Sequence, residues 1–401
     1  MSLALLDFAF HVSWAAAWFW ALLLIGFVWA RRHLALNRAD RDAILSPADA
    51  SAAAALPKLS VLVAAKDEEP NIGRCLSGLL AQQYPDLEVI AANDRSSDRT
   101  GQIMDDMAAR DARLKPVHVT HLPAGWTGKN HALHQAIGLA TGDYFCFTDA
   151  DCQFHAPELL AAAVCFALRE KIDFLSVLPD LEAYTFWERV VQPPAGAIMV
   201  FWFPPEKVND PKSPRAYANG AFMLMSRRSY ETLGGHAAAK NALNEDMHFA
   251  RRAKRGGLRL RVIRGGGMYS VRMYVGLRQI WNGWTRIFYC CFGTLPRLLA
   301  SVVFLSVFSL LPMASLLASL GLAALTAAPS VWAGIAAAAG LAVLAQQSVL
   351  WRFYVLGRTP PAWALTYPIG AAMCLAITLN AMRRYAGAAT HWRGTSYTRG
   401  V

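Results

Sequence analysis

The residues best able to do chemistry are acidic and fall in four clusters. Asp149-Ala-Asp151 sets two carboxylates one residue apart. Paired hard oxygen donors of this kind suit Mg²⁺ or Mn²⁺, which keeps waters and takes phosphate oxygens as further ligands. Lys66-Asp-Glu-Glu69 and Asn93-Asp-Arg95 are two further clusters. The fourth, Asn244-Glu-Asp246, opens a helical pattern through His248 and Arg251. Acids there complement the helix dipole. One of them could equally take the proton of an acceptor hydroxyl as general base. Gly125-Trp-Thr-Gly-Lys-Asn130 is not a Walker A loop, because that motif has four residues between its glycines. Lys129 beside two glycines and a helix start reads as a phosphate contact or as a surface turn. Each cluster alone also fits a solvated turn or a cap.

The elements around the clusters join them. Residues 59–65, 87–92 and 144–148 read as strands. Residues 71–82 (capped by Asn71), 96–109, 131–140 and 157–170 read as helices, the last with Pro in its first turn. Alternating strands and helices predict a parallel sheet in an α/β fold. Ligands of such sheets bind beyond the carboxyl ends of the strands. Three of the acidic clusters fall directly after the three predicted strands, which makes a common site the better reading.

Charge and hydropathy divide the chain. The net charge is +11, yet residues 247–401 hold 17 basic residues and no acidic one. Asp246 is the last side-chain carboxylate, so carboxylate chemistry ends there. Charged residues are 17 %, low against the roughly 25 % usual in soluble domains, which argues against a wholly soluble chain. Residues 8–30 carry no Asp, Glu, Lys or Arg and precede Arg31-Arg-His33, the order of a retained anchor rather than a cleaved signal. Uncharged runs at 298–351, broken by Pro329, and at 359–382 predict three more apolar helices. The positive-inside rule places residue 31 onward in the cytoplasm. Three C-terminal crossings would then put outside a tail bearing Arg383, Arg384, Arg393 and Arg399, in conflict with that rule.

Aromatics and arginines mix over 268–297. Nucleic acid could use them, but immediate entry into an apolar run favours a membrane-surface segment and excludes nucleic acid as the partner. The seven cysteines show no paired zinc spacing and read as reduced, with Cys146 and Cys165 in the core. The division expected is an anchor (1–33), a linker (34–57), a catalytic domain (58–267), an interfacial segment (268–297), a membrane region (298–382) and a basic tail (383–401).

The ordered set Val63-Ala-Ala-Lys-Asp-Glu-Glu69, Asn93-Asp-Arg-Ser-Ser-Asp98, Thr148-Asp-Ala-Asp151 and Asn244-Glu-Asp246 resembles a membrane-bound family 2 glycosyltransferase. Within that family, Pro123-Ala-Gly-Trp-Thr-Gly-Lys129, Phe186-Trp-Glu-Arg189 and Val208-Asn-Asp-Pro211 resemble the hopene-associated branch, close to carotenoid and ceramide glycosyltransferases. The resemblance implies a GT-A fold, a Rossmann-like nucleotide-diphospho-sugar transferase domain, between N- and C-terminal transmembrane helices. It implies transfer of a hexose, with inversion, from a nucleotide sugar (UDP-linked) to a lipid hydroxyl, with the domain on the cytoplasmic face of the inner membrane. It assigns Asp67, Glu69, Asp94, Lys129 and Asp149 to the nucleotide sugar, Asp149 and Asp151 to the metal, Asp246 as base and Glu245 beside it. Asn219, Gly220, Gln279, Trp284 and Arg286 would serve acceptor and diphosphate. Processive members carry Gln-x-x-Arg-Trp. Here Gln279 is followed by Ile-Trp-Asn-Gly283, which favours single transfer over polymer synthesis. A non-enzymatic membrane scaffold would be expected to show gaps in the acidic set, and the set is complete.

Overall fold

The computed structural model describes residues 3–39, 44–52, 56–326, 328–386, 390–392 and 395–397. Arg393 and Arg399, invoked for the tail, lie outside them. The chain divides into two units. One comprises Asp42–Glu182, Val200–Met273 and Gly387–Val401, the other Met1–Arg41, Ala183–Met199 and Tyr274–Ala386.

The first unit is built on a seven-stranded sheet. Its strands are β1 (Leu59–Ala65), β2 (Leu87–Asp94), β3 (Leu114–Val119), β4 (Tyr144–Asp149), β6 (Phe174–Leu178), β8 (Met223–Ser226) and β9 (Leu260–Arg264). The order is β3-β2-β1-β4-β8-β6-β9. β1 pairs in parallel with β2 and β4, but β8 runs antiparallel to both β4 and β6. The sheet is therefore mixed, a correction to the all-parallel expectation. β8 is only four residues, MLMS, with no alternation to betray it. β3 also escapes the sequence pattern, because its LKPVHV carries Pro, Lys and His. It lies at an edge of the sheet, where such residues are tolerated. A smaller sheet joins β5 (Cys152–Phe154), β10 (Tyr269–Val271) and β7 (Asp180–Leu181).

Helices cover the sheet. α2 (Ile72–Leu80) turns Ile72, Cys75, Leu76 and Leu79 inward, the spacing of one helical face. Asn71 precedes it but makes no side-chain cap bond. α3 (Thr100–Ala108), α4 (Gly128–Ile137) and α5 (Leu159–Arg169) follow, shifted by a few residues from the ranges expected. β1 is buried along nearly all its length, as a central strand covered on both faces should be. From β1 the chain moves to β2 on one side, while β4 lies on the other. The carboxyl ends of β1 and β4 thus flank a switch in strand order, the place where open α/β sheets bind ligands.

Two expected boundaries move. Residues 44–52 do not behave as a linker. Leu45 is buried and its N–H donates to the Arg264 carbonyl at 2.9 Å, and Asp49 pairs with Arg169 at 2.9 Å. The boundary expected at 268 falls inside the smaller sheet, since β10 runs to Val271. Asn209, from the Val208–Pro211 motif, closes the β9 edge. Its amide donates to the Val262 carbonyl at 2.9 Å and accepts from the Val262 N–H at 2.7 Å. The short helices α7 (Pro205–Val208), α8 (Arg227–Thr232) and α9 (Gly235–Ala238) precede α10 (Glu245–Arg255).

The second unit is helical. It contains α1 (Leu3–Ala39), most of α6 (Phe186–Trp202), α11 (Gly276–Phe292), α12 (Leu295–Val303), a π-helix (Phe304–Leu310), α13 (Leu311–Leu325), α14 (Pro329–Leu356), a 3₁₀ turn (Pro361–Thr366) and α15 (Tyr367–Arg383). Four stretches are long and apolar enough to cross a bilayer: Ser13–His33, Leu295–Leu325, Pro329–Leu356 and Pro361–Arg383. The sequence division puts residues 183–199 inside the catalytic domain. They belong instead to this unit, because Gly370 of α15 approaches α6 so closely that a Cβ would lie within clash range of the Val190 carbonyl. Glu188, from the Phe186–Arg189 motif, accepts from the N–H groups of Tyr184 at 2.9 Å and Gly276 at 3.4 Å. It thereby satisfies backbone donors at the starts of both α6 and α11.

Candidate active site

β4 ends at Asp149 and points its carboxylate at α4. Lys129, in the first turn of α4, donates to Asp149 Oδ1 at 2.5 Å and lies 2.6 Å from Glu245 Oε1. Burial alone would depress this lysine, but the two carboxylates outweigh it and hold the ammonium well above its ordinary value. The start of α4 is held firmly. The Thr127 N–H donates to the Lys240 carbonyl at 2.7 Å, and the Asn130 amide reaches the carbonyls of Ala239 (2.5 Å) and Ala242 (2.9 Å). These bonds tie Lys129 to the segment that leads into Asn244. Asn130 is a positioning residue that the sequence does not disclose, although it ends the quoted glycine motif.

Asp246 turns its carboxyl inward. Oδ2 accepts from the Gly220 N–H at 3.1 Å, and Oδ1 from the Met247 N–H at 2.6 Å. Burial first, then the neighbouring Glu245 charge, push its pKa up to about 7 against the pull of Lys129. Such a group exchanges its proton near neutrality, which is what a general base at that pH needs. Gly220 is set by Asn219, whose N–H donates to Ser176 Oγ at 2.8 Å and whose Oδ1 accepts from Ala221 N–H at 2.9 Å. A Cβ at position 220 would sit 3.2 Å from Lys129 Nζ, 3.4 Å from Glu245 Oε1 and 3.6 Å from Asp246 Oδ2. A methyl group there would crowd the lysine ammonium and touch both carboxylates.

The loops after β1 and β2 are stitched together. Asp67 Oδ1 accepts from the Ser97 N–H at 2.7 Å, a bond that keeps this carboxyl below its ordinary value. Glu69 Oε2 accepts from the Arg99 N–H at 3.1 Å, and its own N–H donates to Asp98 at 3.0 Å. Asp67 and Arg95 both hold positive φ, +52° and +54°. Non-glycine residues in that region cost energy and cluster at binding sites. Asp94 is buried and pairs with Arg95 Nε at 2.8 Å. Gly128 abuts its other oxygen, where no side chain would fit. Trp126 stacks on His134 with ring centres 4.9 Å apart and meets His131 edge-on at 5.4 Å, an aromatic group beside Gly128 that the motif does not announce.

The structure therefore brings together Lys129, Asp149, Gly220, Glu245 and Asp246. It places Asn219 directly behind them and ties Asp67 and Glu69 into the loop beside Asp94. Asp151 is half-buried, two residues past the end of β4. Gln279, Trp284 and Arg286 all lie on α11 of the helical unit. There Gln279 accepts from the Val275 N–H at 2.9 Å, capping the helix, and Trp284 is buried against Phe288.

Asp149 and Asp151 supply the hard oxygens that Mg²⁺ or Mn²⁺ prefers. Among the described residues no three His, Cys, Asp or Glu side chains form a metal cage.

Residues 60–234 match the family described as Glycosyl transferase family 2. Two 4,4'-diaponeurosporenoate glycosyltransferases of Staphylococcus aureus, from strains MRSA252 and USA300, are 27 % and 26 % identical over 249 residues. In each case the match covers 61 % of this chain and 64 % of the relative, so the chain spans just under two thirds of the relatives it matches. The mannosyltransferase PcManGT from Pyrobaculum calidifontis, solved with GDP-Man and Mn²⁺, superposes with a TM-score of 0.52 at 20 % identity, over 92 % of this chain and 97 % of that one. Residues 60–234 thus match a family 2 glycosyltransferase domain, the fold is GT-A, and long apolar helices precede and follow the matched region in the chain.

Proposed function

We propose that the protein is an inverting glycosyltransferase that moves a hexose from a nucleotide sugar to a lipid hydroxyl at the cytoplasmic face of a membrane. The observation that carries this reading is Asp246. It is a half-buried carboxyl whose pKa is pushed up to about 7, 3.1 Å from the Gly220 N–H and next to the Lys129, Asp149 and Glu245 cluster.

In this reading Asp246 accepts the proton of the acceptor hydroxyl as that oxygen attacks the anomeric carbon opposite the diphosphate. Lys129 meets the charge that gathers on the departing diphosphate. Electrostatic help of that kind commonly contributes more to catalysis than any other single effect. Asp149 and Asp151 would hold a divalent cation, which when bound supplies further charge stabilisation to the same phosphate oxygens. Asp67, Glu69 and Asp94 would face the nucleoside, Asn219 and Gly220 the sugar and acceptor, and Gln279, Trp284 and Arg286 the acceptor side.

The donor reading is a UDP-hexose, with a GDP-hexose as the contrast set by the archaeal mannosyltransferase. The acceptor reading is an isoprenoid lipid, hopanoid or carotenoid. It rests on the diaponeurosporenoate enzymes and on the four apolar helices. The test is mass spectrometry of lipids from cells with and without the gene, combined with transfer by the purified chain. A hexosylated lipid that disappears with the gene and with Asp246→Asn supports the reading. A lipid profile untouched by the deletion, or a folded Asp246→Asn variant of full activity, sinks it.

A further inference from the structure

Lys129 holds one carboxylate oxygen of Asp149, the residue read as a metal ligand. Its ammonium lies 2.5 Å from Asp149 Oδ1 and is held from a second side by Glu245 Oε1 at 2.6 Å. The absence of a side chain at Gly220 leaves room beside the ammonium, since a Cβ there would stand 3.2 Å from Nζ. Its backbone is anchored by the Thr127 and Asn130 bonds to the 239–242 segment.

A divalent cation held by Asp149 would lie close to the Lys129 ammonium and be repelled by it. Nor is there a ready alternative cage, since no three His, Cys, Asp or Glu side chains among the described residues could hold a metal.

We infer that Lys129 is a built-in competitor for the metal position, so that the divalent cation binds well only together with the donor diphosphate. The diphosphate brings negative charge for both cations. It draws Lys129 off Asp149 and completes the metal's ligands at once. Metal and donor are therefore linked, each raising the affinity of the other. The inference rests on the reading of Asp149 and Asp151 as the metal carboxylates.

The test is a Mn²⁺ titration of the full-length chain in detergent, followed by electron paramagnetic resonance, with and without UDP or GDP. In the wild type, donor-free binding should be weak and the nucleoside diphosphate should strengthen it at least about tenfold. Lys129→Met should tighten donor-free Mn²⁺ binding about tenfold and shrink the nucleotide effect. Lys129→Gln, which keeps a hydrogen bond to Asp149 without the charge, should act in the same direction and serves if the Met variant does not fold. Lys129→Arg should stay near wild type. Unchanged or weaker donor-free binding in both neutral variants overturns the inference and leaves the metal reading intact. Failure of the wild type to take up Mn²⁺ with either nucleotide overturns the metal reading, and the inference with it.

Discussion

The sheet unit and the long apolar helices handle buried polar groups differently. In the sheet unit several are charged and paired. Glu88 accepts from Ser60 Oγ at 2.6 Å, Lys115 Nζ at 2.6 Å and the Thr141 N–H at 2.6 Å, and Lys129 bridges Asp149 and Glu245. In the long apolar helices of the helical unit they are neutral and largely serve the backbone. Carbonyls of the π-helix take side-chain donors. Trp29 Nε1 donates to the Phe308 carbonyl at 2.8 Å, Gln346 Nε2 reaches those of Phe308 and Ser309 at 3.1 Å each, and the Tyr367 hydroxyl donates to Ser309 Oγ at 2.8 Å. A charge in hydrocarbon is costly, so an apolar bundle satisfies its backbone with amides, indoles and hydroxyls. A water-facing sheet edge can keep charges and use them for chemistry.

Four substitutions probe that contrast, from the largest expected effect downward. Asp246→Asn should lower turnover by about 10²–10⁴, the range for loss of a general base. The wild-type rate should rise with pH through about 7 as the base ionises, and that limb should vanish in the variant. An intact limb in the variant would assign the base elsewhere. Gly220→Ala presses a methyl group on Lys129 and Glu245. Turnover should fall about 10- to 100-fold, as small misplacements at a reacting centre do, with little change in melting temperature. A matching collapse of stability would point to a folding role instead.

Glu88 tests a charged group of the sheet unit away from the site. Burial would raise its pKa, but Lys115, Ser60 and Thr141 together lower it to about 2 from 4.5. The stabilisation is complete above pH 4.5 and is lost as pH falls toward 2. It amounts to about 1–3 kcal/mol after allowance for solvent at the exposed Lys115. Acid titration of wild type against Glu88→Gln should show a steeper loss in the wild type over that window. Equal slopes would remove the ion pair from the stability account. Gln346→Leu, in the helical unit, should cost about 0.6–2 kcal/mol by detergent unfolding. No loss would mean that the π-helix carbonyls find other donors.

Much of the site is legible without the fold. Asp149, Glu245 and Asp246 are marked by chemistry and by position after strands or at a helix start. Lys129 is marked by the glycines around it. Their convergence is not legible. Asp149 and Glu245 are 96 positions apart in the chain, and one lysine contacts both only because α4 starts where it does. Short β8, MLMS, carries no period long enough to read, yet its antiparallel course makes the sheet mixed. The motifs 186–189 and 208–211 read as marks of a functional branch. Within them, Glu188 and Asn209 satisfy helix starts and a strand edge, a use of polar side chains that no spacing announces.

By itself the sequence settled the inventory: which carboxylates exist, that none follows Asp246, which stretches are apolar enough to leave water, and where strands alternate with helices. Composition and period are local properties, so they survive without coordinates. Tertiary structure alone decided which charges meet, that a side chain at Gly220 would crowd them, that residues 183–199 join the helical unit and that desolvation and Glu245 push the pKa of Asp246 up to about 7. Those outcomes depend on distance and exclusion of water, and both arise only when segments remote in the chain pack together.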